Sequence, residues 1–348
     1  MRVTGRHAET GESLERRDAQ VNAARPAPGT VEVAIATCNG EVYLAEQLDS
    51  LFSQTCQDFD LIIADDASTD GTRDIITRYQ MSHPNRIKAH LFEDRVGALR
   101  NFGRLVDRLS ADYALLCDQD DVWLPEKVAI LLGRMREAEA REGPDRPILL
   151  HSDLMVVDTD LTLIARSAMR YQRIDPRQNG LEKLLLTNVV AGCSMMLNHA
   201  LYTRARPIPA EASMHDHWLA LTASALGTIH YVDRPLVLYR QHPGNAVGAS
   251  GWRAKPLLRR VRQTLFEDTK KRVLKRFSRQ AAILVQRYGP EMRHEPRRAA
   301  QTLANLWTTE PLTRFSRLQE CGLRLEGFVR NAALFIAVTF ARKDAGGR

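Results

Sequence analysis

Three carboxylates, Asp118, Asp120 and Asp121, follow the apolar run Ala114-Leu115-Leu116-Cys117 and precede Val122-Trp123-Leu124-Pro125. A run of that kind reads as a buried strand, so the acidic residues stand at a strand's carboxyl end. Like charges gathered there repel one another and lose hydration, which calls for a compensating positive group. A divalent cation is the economical candidate, because Mg²⁺ and Mn²⁺ prefer oxygen ligands and bridge protein carboxylates to substrate phosphates. The plainer alternative is a solvated acidic turn that caps a helix starting near Glu126, and the neighbouring loops decide between the two.

The elements that must position these residues alternate in type. Residues 31–36, 60–64, 87–92 and 114–117 are short apolar runs. Between them, residues 43–52, 72–81 and 97–109 carry apolar side chains at helical spacing, and a charged helix follows at 126–142. Alternating strands and helices imply an α/β fold, a mostly parallel, doubly wound, Rossmann-like sheet. Ligands of such sheets sit outside the carboxyl ends of the strands, which brings loops 37–41, 65–72 and 118–121 together. Ser68, Thr69 or Asp70 can cap the helix after the second loop. Neither a G-x-G-x-x-G after the first strand nor a G-x-x-x-x-G-K-[ST] occurs, so phosphate must be held in another way, and a metal on Asp120 supplies one.

Downstream, residues 148–150 form a strand leading into His151-Ser152-Asp153, and 155–158 with 161–164 read as a hairpin or a strand with a turn. The apolar run 187–197 is broken by Gly192, where backbone could approach a ligand. A helix opens at 214 with Asp216 in its first turn, and strands 228–232 and 235–240 end in Tyr239-Arg240-Gln241-His242.

At 348 residues the chain can hold one large domain or two smaller ones. Its five cysteines are odd in number and contain no C-x-x-C pair. Cys38, Cys117 and Cys193 therefore read as small core residues of a reducing compartment. Residues 1–28 lack the apolar core of a secretory signal and read as a disordered lead. The net charge of +7 is unevenly spread: residues 253–348 hold 22 Lys/Arg against 8 Asp/Glu. That tail reads as basic, amphipathic helices at 256–266, 268–288, 295–307 and 313–340. Its apolar stretch 332–341 is shorter than the ~20 residues of a membrane span and is expected to be a buried face or one resting on lipid. Aromatics are sparse among its cations, so nucleic acid is not an expected partner.

Four motifs in register over residues 31–245 resemble glycosyltransferase family 2: Val-Ala-Ile-Ala-Thr-Cys-Asn-Gly (33–40), Gln-Leu-Asp-Ser-Leu-Phe-Ser-Gln-Thr (47–55), Ala-Asp-Asp-Ala-Ser-Thr-Asp-Gly-Thr (64–72) and Asp-Gln-Asp-Asp-Val-Trp (118–123). His151-Ser152-Asp153, the 188–196 segment and Tyr239-Arg240-Gln241-His242 are similar to its bacterial rhamnosyltransferase-like subgroup. The resemblance implies a GT-A domain at 29–250, followed by a basic α-helical extension at 251–348. It also implies a nucleotide-sugar donor, Mn²⁺ or Mg²⁺, and inversion at the anomeric carbon.

By position, the resemblance places Thr37, Asn39, Glu41, Asp66, Arg95, Asn101 and Asp118 at the nucleotide sugar. It places Asp120, Asp118 and His242 at the metal or diphosphate, and Asp216 as general base. The loop Glu93-Asp94-Arg95-Val96-Gly97 departs from relatives, which commonly show an asparagine before the glycine, and a cation at Arg95 could meet the diphosphate. His151, Asp153 and Trp218 are candidates for acceptor contact, with packing the alternative for Trp123 and Trp218. The subgroup suggests dTDP-L-rhamnose as donor, with a UDP-hexose as rival. It suggests a glycan or lipid-linked saccharide acceptor in cell-surface polysaccharide (O-antigen) synthesis. The expected location is cytoplasmic, at the inner face of the plasma membrane, with residues 253–348 against its anionic surface. A rival of another class is a haloacid dehalogenase-like phosphatase, whose Asp-x-Asp-x-Thr/Val motif residues 118–122 fit formally. That motif normally follows the first strand of its domain, whereas here three strands precede it.

Overall fold

The structure is a computed structural model and describes residues 29–243, 268–325 and 327–339. Four parallel strands form one half of the sheet: β1 (Val31–Thr37), β2 (Asp60–Asp66), β3 (Ile87–Phe92) and β4 (Tyr113–Asp118). They are linked by α1 (Leu44–Phe52), α2 (Thr72–Ser82) and α3 (Ala98–Val106). Both faces of these strands are covered, so the apolar runs are nearly continuous and successive residues enter opposite cores. Val33, Ile35, Leu61, Ile63, Leu115 and Cys117 pack on the side of α1 and α2. Ala34, Ile62, Ala64, Ala114 and Leu116 enter the other core, which contains Phe102, Leu105 and Val106 of α3.

The second half comprises β5 (Val122–Trp123), α4 (Lys127–Glu142), β6 (Ile148–Val157), β7 (Leu163–Ala165), α5 (Ala168–Gln172), α6 (Leu181–Leu184), β8 (Met195–Asn198), α7 (His199–Ala205), α8 (His215–Leu226) and β9 (Thr228–Arg240). The strand order is β3-β2-β1-β4-β8-β6-β9-β5, with β7 on β6. Only β5, β7 and β8 run antiparallel to their neighbours. The expected α/β, mostly parallel sheet is thus present. The expected hairpin differs in extent: β6 continues to Val157 and only the short β7 turns back. The two strands expected at 228–232 and 235–240 are one, because a register shift lets β9 carry Asp233 and Arg234 past β6 without ending the pairing.

The C-terminal region contains α9 (Asp268–Tyr288), α10 (His294–Ala304), α11 (Pro311–Glu320) and α12 (Phe328–Thr339). The expected helix 313–340 is therefore two, whereas the expected helix 256–266 and lead 1–28 lie outside the described residues. These helices do not stand apart as an appendage. Leu274, Ala281, Leu284 and Tyr288 of α9, Leu303 of α10 and Leu334 of α12 belong to the same core as Leu116 and Trp218. The Tyr288 hydroxyl donates to the Arg204 carbonyl at 2.6 Å. No helix among the described residues is long and apolar enough to cross a membrane.

A shared core predicts a shared unfolding transition. Leu284→Ala, at a fully buried position, should cost about 2–5 kcal/mol. It should lower the urea midpoint of the whole chain in one step, followed by tryptophan fluorescence and far-UV circular dichroism. Separate transitions for the two probes would contradict the shared core.

Candidate active site

The loops at the ends of β1 and β2 are strapped together. Asn39 adopts a left-handed backbone (φ 49°) that asparagine tolerates. Its amide donates to the Ser68 hydroxyl (2.8 Å), and its side-chain oxygen accepts from the Thr69 amide (2.9 Å). The Glu41 carboxylate accepts from the Gly71 amide (2.7 Å). Asp70 accepts from the Thr72 amide (3.1 Å), while the N-cap of α2 is Gly71, which has no side chain to cap it. Beneath them Asp65, fully buried, accepts from the Thr37 hydroxyl (3.0 Å), the Ser68 amide (3.0 Å) and Arg73 Nε (2.9 Å). Asp66 accepts from the Val96 (2.8 Å) and Gly97 (2.7 Å) amides, which sets the 93–97 loop against the sheet and carries Arg95 to the cavity.

The motif after β4 is held by its middle residue. Gln119 Oε1 accepts from the Cys38 amide (2.8 Å) while Nε2 donates to the Cys38 carbonyl (3.1 Å). A Cβ on Gly40 would lie 2.3 Å from Gln119 Oε1, so a side chain at 40 would displace the Gln119 amide from Cys38. On the other flank Arg240, buried, donates through Nε to the Asp120 carbonyl (2.9 Å) and through Nη1 to the Thr159 carbonyl (2.5 Å), and it pairs with Glu46. Its amide donates to Asp121 Oδ1 (3.1 Å), so Asp121 anchors β9 rather than only capping a turn.

The expected positive offset is in part a side chain. Lys127, fully buried at the start of α4, donates to the Cys193 carbonyl at 2.6 Å and lies 3.1 Å above the Trp123 ring. Burial pushes its ammonium down to about 7, opposed by Cys117, Cys193, Asp121 and Asp118. Asp118 is pushed up to about 7, first by burial and then by Asp120 and Asp216, with Lys127 opposing. Asp121 is held well above the usual carboxylate range, first by burial and then by Asp120 and Asp118.

A cavity of about 570 Å³ opens between the strand ends and α8. It brings together Thr37, Asp66, Arg95, Asn101, Asp118, Asp120 and Asp216. His242, at its edge, has Nε2 2.9 Å from Asp120 Oδ2 and its ring 4.9 Å from that of Tyr43. Asp216 lies in the first turn of α8, where a helix N-terminus favours a carboxylate. Burial pushes it up to about 6, opposed by the His217 and Gly192 backbone and the Asn188 side chain. Beside it His215 stacks on Phe102 (3.7 Å), with neither ring nitrogen hydrogen-bonded among the described residues. Gly192 lines the cavity and also admits this ring closely: a Cβ there would lie 2.8 Å from His215 Nε2.

Other expected positions fall elsewhere. Asn39 and Glu41 strap the loops and do not line the cavity. Trp218 is fully buried in the core, its indole N–H donating to the Ala205 carbonyl (2.9 Å), so its ring is no platform for an acceptor sugar. His151 is buried against Tyr231, away from the cavity lining. Asp153 accepts from the Leu154 amide (2.8 Å) and the Ser167 hydroxyl (2.5 Å) at the start of α5, a structural role in place of an acceptor contact. Cys38 is half-buried and lines the cavity rather than the core.

Asp120 and His242 suit a divalent metal. Asp120 Oδ2 and His242 Nε2, 2.9 Å apart in hydrogen-bond contact, would offer such an ion one oxygen and one nitrogen donor. Asp118, Asp121 and Cys193 form a second group whose ligand atoms lie within 4.8 Å of one another. Burial keeps the Cys193 thiol protonated there, and a hard oxygen-seeking ion disfavours sulfur, so the Asp120 side is the better fit.

Residues 32–142 match the sequence model of Glycosyl transferase family 2. The dTDP-rhamnosyl transferase RfbG of Shigella flexneri is 28% identical over 229 residues, 62% of this chain and 74% of that protein. TuaG of Bacillus subtilis, named for teichuronic acid biosynthesis, is 25% identical over 226 residues, 64% of this chain and 83% of its own. The crystal structure of S. aureus TarS 1-349 in complex with UDP superposes with a TM-score of 0.51 at 14% identity, covering 89% of this chain and 90% of that one. Its likeness is one of fold, the GT-A fold. With the family match and three strands ahead of the motif, the phosphatase reading is set aside.

The raised Asp216 carboxyl makes a stability prediction. Its ordinary value is 3.8 and its folded value about 6, so the native state holds the proton more tightly than the unfolded chain. That contribution is complete below about pH 4 and is lost as pH rises through about 6. Asp216→Asn should therefore gain stability relative to the wild type over this window, read from urea midpoints at pH 4, 5, 6 and 7. Parallel wild-type and variant curves would contradict the assignment.

Proposed function

We propose that this chain, a glycosyltransferase of family 2, moves L-rhamnose from dTDP-L-rhamnose to a saccharide acceptor, lipid-linked or free, in cell-surface polysaccharide synthesis, with inversion and with a divalent metal. The observation that carries the reaction type is the placing of Asp216 in the same cavity as Asp118 and Asp120, at the carboxyl end of a parallel sheet. The RfbG and TuaG relatives support the donor and the pathway class. A UDP-hexose is the rival donor.

Asp120 and His242, with Asp118 behind them, would hold the metal. When bound, such an ion acts as a Lewis acid on the departing nucleoside diphosphate. The chain's own residues do the rest. Asp216, in the same cavity, takes the proton from the acceptor hydroxyl, and its raised pKa suits a base working near neutral pH. Arg95, exposed at the cavity edge, meets phosphate charge. His215 and Asn101 present buried nitrogen and oxygen atoms that lack partners among the described residues, as a polyhydroxylated ligand requires.

Asp216→Asn should leave nucleotide binding within about threefold while kcat drops about 10²- to 10⁴-fold. The wild-type kcat should rise with pH through about 6 as the base ionises. Asp120→Ala and chelation should each abolish transfer. In a thermal-shift panel with Mn²⁺, dTDP-L-rhamnose should raise the Tm more than UDP-hexoses. Larger shifts with a UDP-hexose would reassign the donor, and full activity after both chelation and Asp120→Ala would remove the metal.

The location that best fits such an acceptor is the cytoplasmic face of the plasma membrane. Exposed Arg272, Arg276 and Arg279 on α9, and Leu312 and Phe328, 83% and 87% exposed, suit an anionic lipid surface. Because the C-terminal helices share the main core, charge reversal in the full chain is a cleaner test than truncation. Replacing these three arginines by glutamate should lower co-sedimentation with phosphatidylglycerol vesicles at least severalfold. Unchanged co-sedimentation would refute docking through this face.

A further inference from the structure

Helix α9 reaches the cavity as well as the core. The ring of Phe277 lines the cavity and stands edge-on to His217, with centroids 5.2 Å apart at 81°. One turn on, Gln280 is 1% exposed. Its Oε1 accepts from the Ser213 amide at 2.8 Å, and its Nε2 lies 3.4 Å from His217 Nδ1. The other ring nitrogen of His217, Nε2, lies 2.6 Å from the Leu184 carbonyl, which can only accept. His217 is therefore the Nε2–H tautomer, its Nδ1 accepts, and the Gln280 amide has one orientation that satisfies both partners. Ser213 precedes Asp216 by three residues and His217 follows it directly.

We propose that Gln280 is a positioning residue for Asp216: through Ser213 and His217 it clamps both sides of the turn that presents the carboxylate, and Phe277 closes the cavity beside it. The C-terminal helices are thereby part of the active-site wall. The bond chain runs Leu184 carbonyl, His217, Gln280, Ser213, and each link is buried or half-buried, away from competing water. Burial keeps His217 neutral by lowering its pKa to about 4, so the tautomer persists at working pH. The catalytic reading of this clamp rests on Asp216 being the base, whereas the clamp itself does not.

Gln280→Leu keeps the side chain's bulk and removes both bonds. Amide exchange at Ser213 should accelerate at least about tenfold relative to the amides of β1. Nucleoside diphosphate release from dTDP-L-rhamnose should lose about 10- to 100-fold in kcat, with donor KM within about threefold, as small displacements of a reacting group do. Gln280→Glu, which retains an acceptor for Ser213 but not the donor that His217 Nδ1 needs, should recover the Ser213 protection and part of the turnover. Unchanged exchange at Ser213 in Gln280→Leu overturns the clamp. Accelerated exchange with unchanged kcat, or kcat and donor KM worsening together without recovery in Gln280→Glu, overturns the positioning role. A wild type that releases no nucleoside diphosphate from any nucleotide sugar counts against the functional reading instead, and the exchange result then decides the clamp alone.

Discussion

Negative charge gathered at the strand ends is the constraint on which the rest of this structure depends. Asp118, Asp120 and Asp121 leave one strand together, and Asp216 faces them from α8. The fold sets two buried cations behind them. Lys127 lies at the level of Asp118 and Asp121, and Arg240 grips the carbonyl of Asp120 and the carboxylate of Glu46. Neither cation cancels the charge at the cavity surface. Asp120 and His242 keep a small exposed fraction, while Asp118 and Asp216 retain protons more readily than ordinary aspartates. A site built in this way gains most from a positively charged guest and from a substrate proton to accept.

The two cores divide the labour. The core under α1, α2 and α4 holds the strand ends and the strapped loops, and the core under α3, α8 and α9 holds the base. Each parallel strand feeds both by alternation, so a shift in one core reaches the other through the backbone of β1 and β4. Antiparallel β8 sits where the parallel run is interrupted, and the turn before it, Gly192–Ser194, delivers both the carbonyl that receives Lys127 and the space that admits His215.

Much of this was legible in the sequence because it is local. Doubly buried strands announce themselves as short unbroken apolar runs, and loops at their carboxyl ends can be paired by topology alone. Lys127 was not legible, since a lysine opening a charged helix looks solvated. A cation in the first turn of a helix opposes the macrodipole, and that was the available signal. Trp218 misled because a tryptophan next to a carboxylate site suits both stacking and packing, and only the facing Ala205 carbonyl settles which. The C-terminal helices were legible as amphipathic but not as to where their apolar stripe packs: 274, 281, 284 and 288 are buried in the core that holds Trp218, with 277 half-buried against it. Gln280 and His217 are 63 residues apart, and a single pairwise contact across that distance leaves no periodic trace.

Gln119 occupies the variable position of an Asp-x-Asp motif, yet here it imitates a strand: one amide group reads both the N–H and the C=O of Cys38. It acts as a one-residue extension of the β1–β4 ladder beyond the point where main-chain pairing stops. The two flanking aspartates therefore inherit the rigidity of the sheet rather than the freedom of a loop. A motif transplanted without that glutamine and its facing Gly40 would carry the same charges on a looser hinge.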